Sequence, residues 1–229
     1  MMKDHKRQPT AVRAPAIVKE AVRLFTLNGY DATSVDAIAS GVGITKASVY
    51  HHFSGKEEIL SAAMDLILDP LEQLLADTRL EEMPAIGQLR AIVVSVIELT
   101  ALHRGEVLLL SMIKSNTQTE RSAQERRRKL QATVSKIITR AIEEGSISPF
   151  FDPVVLGRLI FGMTNSVMYW WDLNRPSNTV DTQTLLDQIL GFISSGVSYS
   201  APAESETAWS IPHTESSRPV DKALRDINE

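Results

Sequence analysis

Apolar side chains recur every three to four positions through most of the chain, the period of an α-helix, and almost nowhere alternate as a strand requires. Ile17, Ala21, Leu24 and Phe25 fall at i, i+4, i+7 and i+8. Asn28-Gly29-Tyr30 ends that run with Gly29 at the C′ position, predicting a helix over 10–27. Thr33 stands three residues before Asp36, an acidic variant of the capping box, and opens a short helix through Val35, Ile38, Ala39 and Val42. Gly41 and Gly43 make a tight turn. Thr45 then caps a third helix whose apolar members, Ile44 and Val49, point back at the second. Ser54 and Glu57 form a further capping box ahead of a long fourth helix through Ile59, Leu60, Ala63, Ile67, Leu71 and Leu74, which Pro70 is expected to kink or divide.

The later pattern is helical as well. Pro84 begins a helix through Leu89, Ile92, Val93, Val96, Ile97 and Leu99 that ends near Gly105, and a shorter one holds Val107 to Ile113. After Asn116 a long helix carries Leu130, Val134, Ile137, Ile138 and Ile142 to Gly145. Asp152 and Pro153 are an N-cap and N1 pair opening the most apolar helix, Val154 to about Trp171. Asp181 caps the last, with Leu185, Leu186, Ile189, Leu190, Ile193 and Val197. From Ala201 onward the composition turns polar and proline-containing, as a loose tail does. The fold class expected is all-α, with a three-helix head at 1–55, a larger helical body at 56–200 and a tail at 201–229.

Composition narrows the class of protein. The chain has 229 residues, 43% of them apolar, enough for a sizeable core, and no cysteine, so neither a disulfide framework nor a cysteine metal site is expected. Its start, "MMKDHKRQPTAVRAP", has no apolar run behind its charge and does not read as a secretory signal. The stretch "VVLGRLIFGMTNSVMYWW" is broken by Arg158, Thr164 and Asn165 and reads as a buried helix rather than a membrane span. A soluble, cytoplasmic protein is expected. Its charge is divided: residues 1–56 hold eight Lys or Arg against four acids, a balance of +4, whereas the whole chain is −4 and the remainder therefore −8. A basic head on an acidic body suits a polyanion partner, although solvated surfaces also differ by a few charges.

Two short helices joined by a glycine turn and leaning on a longer one have the layout of a helix-turn-helix. If the third helix buries only Ile44 and Val49, then Thr45, Lys46, Ser48, Tyr50 and His51 face outward, and Ala47 lets the backbone approach a partner closely. Hydroxyls and amines at a helix N-terminus suit phosphate oxygens, because unpaired N–H groups and the helix dipole favour an anion there. The alternative is an ordinary exposed turn of helix. An enzyme finds little support: there is no glycine-rich phosphate loop, no HExxH, no paired His ligands for a metal, and His103 and His213 stand alone. An adaptor without DNA binding is disfavoured by Lys46, Tyr50 and Lys56.

The segment "AVRLFTLNGYDATSVDAIASGVGITKASVYHHFSGKEEIL" resembles the N-terminal domain of the TetR family of bacterial transcriptional repressors, over roughly residues 12–62. Val42, Gly55 and Ile59 depart from the usual residues without removing a DNA-facing one. The resemblance implies that Thr45, Lys46, Ala47, Ser48, Tyr50 and His51 lie in the major groove or against its phosphates. It also implies that Lys56 binds a phosphate at the start of the fourth helix and that Thr33 holds a flanking one. His52 is the weaker of the two histidines as a contact, and the arm "KDHKR" at 3–7 is either a reader of an adjacent groove or a loose tail.

Two further expectations concern the body. A helix apolar on nearly every side needs partners on more than one face, which points to a two-fold homodimer in which the last two helices pair with their copies as a four-helix bundle through Gly157, Ile160, Val167, Leu186, Ile189 and Ile193, with Gly162 permitting close approach. TetR-like proteins are typically dimers of this kind. The segment "RRRKLQATVSKIITRAIEEGSISPFFDPVVLGRLIFGMTNSVMYWWDLNRPSNTV" is similar to the C-terminal part of TetR-type regulators of lipid and steroid breakdown, a branch answering to acyl-CoA thioesters. An acyl-CoA effector is therefore expected, a bare apolar or cationic drug-like molecule being the alternative, and no cofactor. Met112, Phe161, Met163 and Trp171 are candidate walls of an apolar cavity, Asn116 and Asn165 its polar contacts, and Arg126 to Arg128 partners for CoA phosphates. The competing reading of these residues is core plus solvated surface; "ERRRK" at 125–129 in particular suits a solvated helix face.

Overall fold

The computed structural model describes residues 13–171 and 180–197. The basic arm at 3–7, the end of the segment similar to lipid-linked regulators (172–179), His213 and the tail at 201–229 lie outside the described residues. Among those described there are ten helices and no strand. The head consists of α1 (Arg13–Asn28), α2 (Val35–Val42) and α3 (Lys46–Tyr50), and the long α4 (Lys56–Leu75) follows. A single turn, α5 (Thr78–Glu81), leads to α6 (Ala85–Leu102), α7 (Arg104–Met112), α8 (Gln118–Glu143), α9 (Pro153–Trp170) and α10 (Thr182–Val197).

Local chemistry accounts for most boundaries. Gly29 at φ 85° and Gly43 at φ 74° occupy the left-handed region that ends α1 and α2, where a side chain would be strained. Asp152 accepts from the N–H groups of Val154 and Val155 with Pro153 at N1, as expected. Three caps differ from expectation. Ser34, not Thr33, caps α2 by accepting from the Ala37 N–H. The α4 N-cap is Gly55, and it is Glu58 rather than Glu57 whose carboxylate reaches back to the Ser54 N–H. Pro70 leaves α4 continuous from 56 to 75. The break between α6 and α7 falls at His103 (φ −129°, ψ 41°) rather than at Gly105.

Two apolar clusters form the core. The first joins α1 to α4 with α7 and part of α8, around Ile17, Phe25, Ile38, Val49, Leu60, Met64 and Leu109. It runs across residue 56 without interruption, so α4 belongs to head and body alike. The second joins α6, α8, α9 and α10 around Leu89, Ile97, Ile138, Ile160, Trp171 and Ile189, and Leu71 and Leu75 of α4 pack against both. Helix α6 is long and apolar enough to cross a membrane, but Ala85, Leu89, Ile92, Val93, Val96, Ile97 and Leu99 are buried within the protein.

Burial corrects the expected dimer surface. Gly157, Ile160, Val167, Leu186, Ile189 and Ile193 are all buried within one protomer. The apolar side chains that α9 and α10 leave exposed are instead Val154, Val155, Leu159 (63%), Tyr169, Trp170 and Phe192 (72%). Val155, Leu159, Gly162, Tyr169 and Trp170 share one stripe at helical spacing. Arg158, expected inside an apolar helix, is exposed. The sequence placed the apolar character of α9 correctly but not its phase, because both sides of the helix are apolar and periodicity alone does not say which meets the core.

Candidate nucleic-acid interface

Helix α3 is only five residues long, too short to persist without tertiary support. Val49, wholly buried, and the half-buried Ile44 pin it to α1, α2 and α4. Thr45 starts it, accepting at Oγ1 from the Ser48 N–H at 3.2 Å, and its hydroxyl also lies 2.9 Å from that of Ser48. With the helix held by that one side, Thr45, Lys46, Ala47, Tyr50 (49% exposed) and His51 stand in solvent, and Ser48 is half-buried at the edge. His52 is half-buried, its ring 6.5 Å from that of Phe53. The exposed group combines hydroxyls, an ammonium, a phenol and an imidazole on a small protruding helix, a set able to meet both phosphates and base edges.

Two expected members of this surface lie elsewhere. Thr33 is 3% exposed and its hydroxyl donates to the carbonyls of Gly29 (2.8 Å) and Leu24 (3.3 Å), so it braces the α1–α2 turn from inside. Lys56 donates to the carbonyls of Tyr30 (2.7 Å), Thr33 (3.0 Å) and Asp31 (3.3 Å), and its ammonium sits 4.2 Å from the centre of the Tyr30 ring. The ammonium thus has three backbone carbonyl acceptors within the protein. The lysine that was expected to hold a phosphate instead fastens the start of α4 to the α1–α2 turn. Burial of the Tyr30 phenol, with the nearby carboxylates of Glu57, Glu120 and Asp31, pushes its pKa up to about 12.

One residue at this surface was read only as a cap. Asp36, in the first turn of α2, accepts from Lys46 Nζ at 2.6 Å, with Lys46 and Asp36 side chains 48% and 62% exposed. The hydrogen bond and charge of Asp36 raise the Lys46 pKa. Ten residues separate the two in sequence, and only the glycine turn brings them together.

Behind the head, α4 and α8 are joined by charge. Arg126 donates to Asp65 (2.6 Å), Asp69 (2.5 Å) and Glu72 (2.8 Å), carboxylates on successive turns of α4, and these bonds raise its pKa despite partial burial, Glu72 contributing most. Arg126 is therefore not a free partner for a ligand phosphate. Arg127 reaches the Leu110 carbonyl at 3.4 Å. Glu120, 3% exposed, closes the α7–α8 loop: its carboxylate accepts from the N–H groups of Lys114 (3.0 Å) and Thr117 (2.8 Å). Burial pushes its pKa up, but the backbone N–H groups of Lys114, Thr117 and Asn116 outweigh that and hold it below the usual value.

The six expected effector contacts are not brought together. Met112 and Asn116 are exposed at the α7–α8 end, outside both core clusters. Phe161 and Met163 pack partly buried on the second cluster, Asn165 is half-buried, and Trp171 is 1% exposed with its indole N–H donating to the Val180 carbonyl at 2.9 Å. Trp171 is core. A groove of about 620 Å³ does run along the first half of α8, with Arg121, Arg128 and Lys129 among its cations and Ser115, Ser122 and Gln124 among its neutral polar groups.

Comparison with known proteins agrees with this organisation. The family model described as "Bacterial regulatory proteins, tetR family" matches residues 17–63, and that described as "Tetracyclin repressor-like, C-terminal domain" matches residues 82–197. The HTH-type transcriptional repressor KstR2 of Mycobacterium tuberculosis is 27% identical over 188 residues, 81% of this chain and 92% of KstR2. The crystal structure of SCO3833 from Streptomyces coelicolor A3, a member of the TetR transcriptional regulator family, is similar with a TM-score of 0.71 at 32% identity, over 79% of this chain and 90% of that one. The structure of AibR in complex with isovaleryl coenzyme A and operator DNA is similar with a TM-score of 0.65 at 27% identity, over 79% of this chain and 97% of that one.

Proposed function

The chain belongs to the TetR family of bacterial regulatory proteins, DNA-binding regulators rather than enzymes, and from that premise we propose that it is a cytoplasmic repressor that binds a palindromic operator as a homodimer and is released by a small molecule. The observation that carries the reading is α3: a helix pinned on its inner side by Val49 and Ile44, presenting Thr45, Lys46, Ala47, Tyr50 and His51 together. The homodimer is supported by the exposed stripe of Val155, Leu159, Tyr169 and Trp170 on α9 with Phe192 on α10. Gly162 and Gly196, beside which no atom lies within 4 Å of where a Cβ would sit, leave room for a second copy. Two α3 helices related by that two-fold meet major grooves about 35 Å apart.

For the effector, an acyl-CoA thioester is the reading with most support. AibR, similar over most of both chains, is bound to isovaleryl coenzyme A, and the α8 groove offers Arg128 and Lys129 to the phosphates such a ligand carries. The effector need only prefer the form that does not fit the operator, a tenfold preference corresponding to about 1.4 kcal/mol. The test is titration of acyl-CoAs of graded length, free fatty acids and cationic drugs into the protein–operator complex in a gel shift. Release by thioesters and not by the free acids is expected. Release by drugs alone overturns the thioester reading and favours a regulator of efflux or detoxification.

A further inference from the structure

Asp36 is the only acidic residue between Ala32 and Lys56, the stretch that carries both helices of the DNA-facing unit. A carboxylate there is repelled by every phosphate and can be satisfied in a duplex only by a donor. The major groove offers two, the N4 amino group of cytosine and the N6 amino group of adenine. Asp36 does not stand alone: Lys46, at the start of α3, holds Oδ2 at 2.6 Å, and both side chains are about half or more exposed. The pair presents an acceptor beside a donor.

A C·G base pair presents the complementary edge. Its cytosine N4 donor and guanine O6 acceptor are hydrogen-bonded to each other and so lie about 2.9 Å apart, close to the 2.6 Å between Nζ and Oδ2. Guanine adds N7 as a second acceptor for the lysine, whereas in an A·T pair the acceptor beside the adenine N6 donor is thymine O4, which is flanked by the C5-methyl group and gives the ammonium a single contact. We propose that Asp36 and Lys46 act as one unit that reads a single C·G pair, Lys46 donating to guanine O6 and N7 while Asp36 accepts from cytosine N4. The assignment rests on the operator-binding reading and makes Asp36 a specificity residue, although its charge opposes DNA binding in general.

Because the pair is neutral as a unit, removing the acid has two effects of opposite sign. Asp36→Ala should cut discrimination against A·T at one operator position by about tenfold or more, within the range of a good base contact. Other positions should stay within about twofold. The same variant should bind unrelated duplex DNA more tightly at low salt, its log K against log salt slope steeper by about 0.9, because Lys46 is now unpaired. Asp36→Asn, which keeps the shape, should move the preference at that position towards A·T, since a carboxamide pairs with adenine N6 and N7. The experiment is a fluorescence-anisotropy titration of wild type and both variants against the operator and its single-position substitutions, with thermal unfolding confirming that the exposed changes leave the fold intact. If both variants keep the wild-type preference at every position, Asp36 does no reading and the proposal is overturned. Failure of the wild type to bind any duplex would instead overturn the operator reading, and this proposal with it.

Discussion

Lys56→Met separates two accounts of one residue. If the side chain met a phosphate, its loss would reduce the dependence of log K on log salt by about 0.9 and leave the free protein's stability almost untouched. The structure has it donating to the carbonyls of Tyr30, Asp31 and Thr33 and covering the Tyr30 ring. A hydrogen bond from a charged group is worth about 1.5–3 kcal/mol and a cation–π contact in a partly exposed setting about 0.5–1 kcal/mol. The three bonds share one ammonium and the turn remains open to water, so they do not add; a loss of about 2–3 kcal/mol is expected. For a domain of this size each kcal/mol moves the midpoint by about 2–4 °C, giving a fall in Tm of about 4–12 °C. Methionine keeps most of the aliphatic stem, so packing loss contributes little. Circular-dichroism melting of the free protein, beside anisotropy titration at four or more salt concentrations, reads both quantities. An unchanged Tm together with a shallower salt slope would refute the clamp and restore the phosphate contact.

Arg126→Met leaves Asp65, Asp69 and Glu72 facing one another on α4 with no cation between them, and should lower stability by about 1–3 kcal/mol in a denaturant titration, the partial exposure of all four groups keeping the loss modest. Glu120→Gln should cost about 1–3 kcal/mol at neutral pH by weakening the bonds to the Lys114 and Thr117 N–H groups. Because the Glu120 pKa is lowered by folding, its contribution is complete above about 4.5 and fades as pH falls through the folded-state value, so urea titrations from pH 7 to pH 3 should show the wild type and the variant converging on the acid side. Leu159→Arg combined with Phe192→Arg should give a folded monomer by sedimentation with weakened operator binding, whereas Ile160→Arg should unfold the protomer, because only the last is buried within it.

The helical architecture was legible because nearly every element carries a period-3.6 apolar side and a local start or stop: Gly29, Gly43, Thr45 and the Asp152-Pro153 pair act through neighbours within four residues. Exposure of Lys46, Tyr50 and His51 was legible for the same reason, once Val49 was recognised as the buried anchor. What escaped depends on contacts distant in sequence. Lys56 reaches carbonyls 23 to 26 residues away, Asp36 is ten residues from Lys46, and Arg126 is 54 to 61 residues from its carboxylates. Even so, the i, i+4, i+7 spacing of Asp65, Asp69 and Glu72 marks an acidic stripe that sequence reading could have used. Thr33 misled because a threonine ahead of a helix suits an N-cap, a phosphate contact and an internal brace equally well. On α9, apolar residues on both sides hid which side faces Ile138 and which faces solvent.

The central claim, a dimer reading DNA through α3, is tested most directly by selecting the purified protein against a randomised duplex pool and titrating the enriched sequence at several salt concentrations. The account predicts an inverted repeat with half-sites about one helical turn apart, one dimer bound per repeat, and affinity that falls steeply and linearly in log salt. Lys46→Ala should reduce affinity for that sequence more than for unrelated duplex. Enrichment of no sequence, with no duplex binding even at low salt, would contradict it.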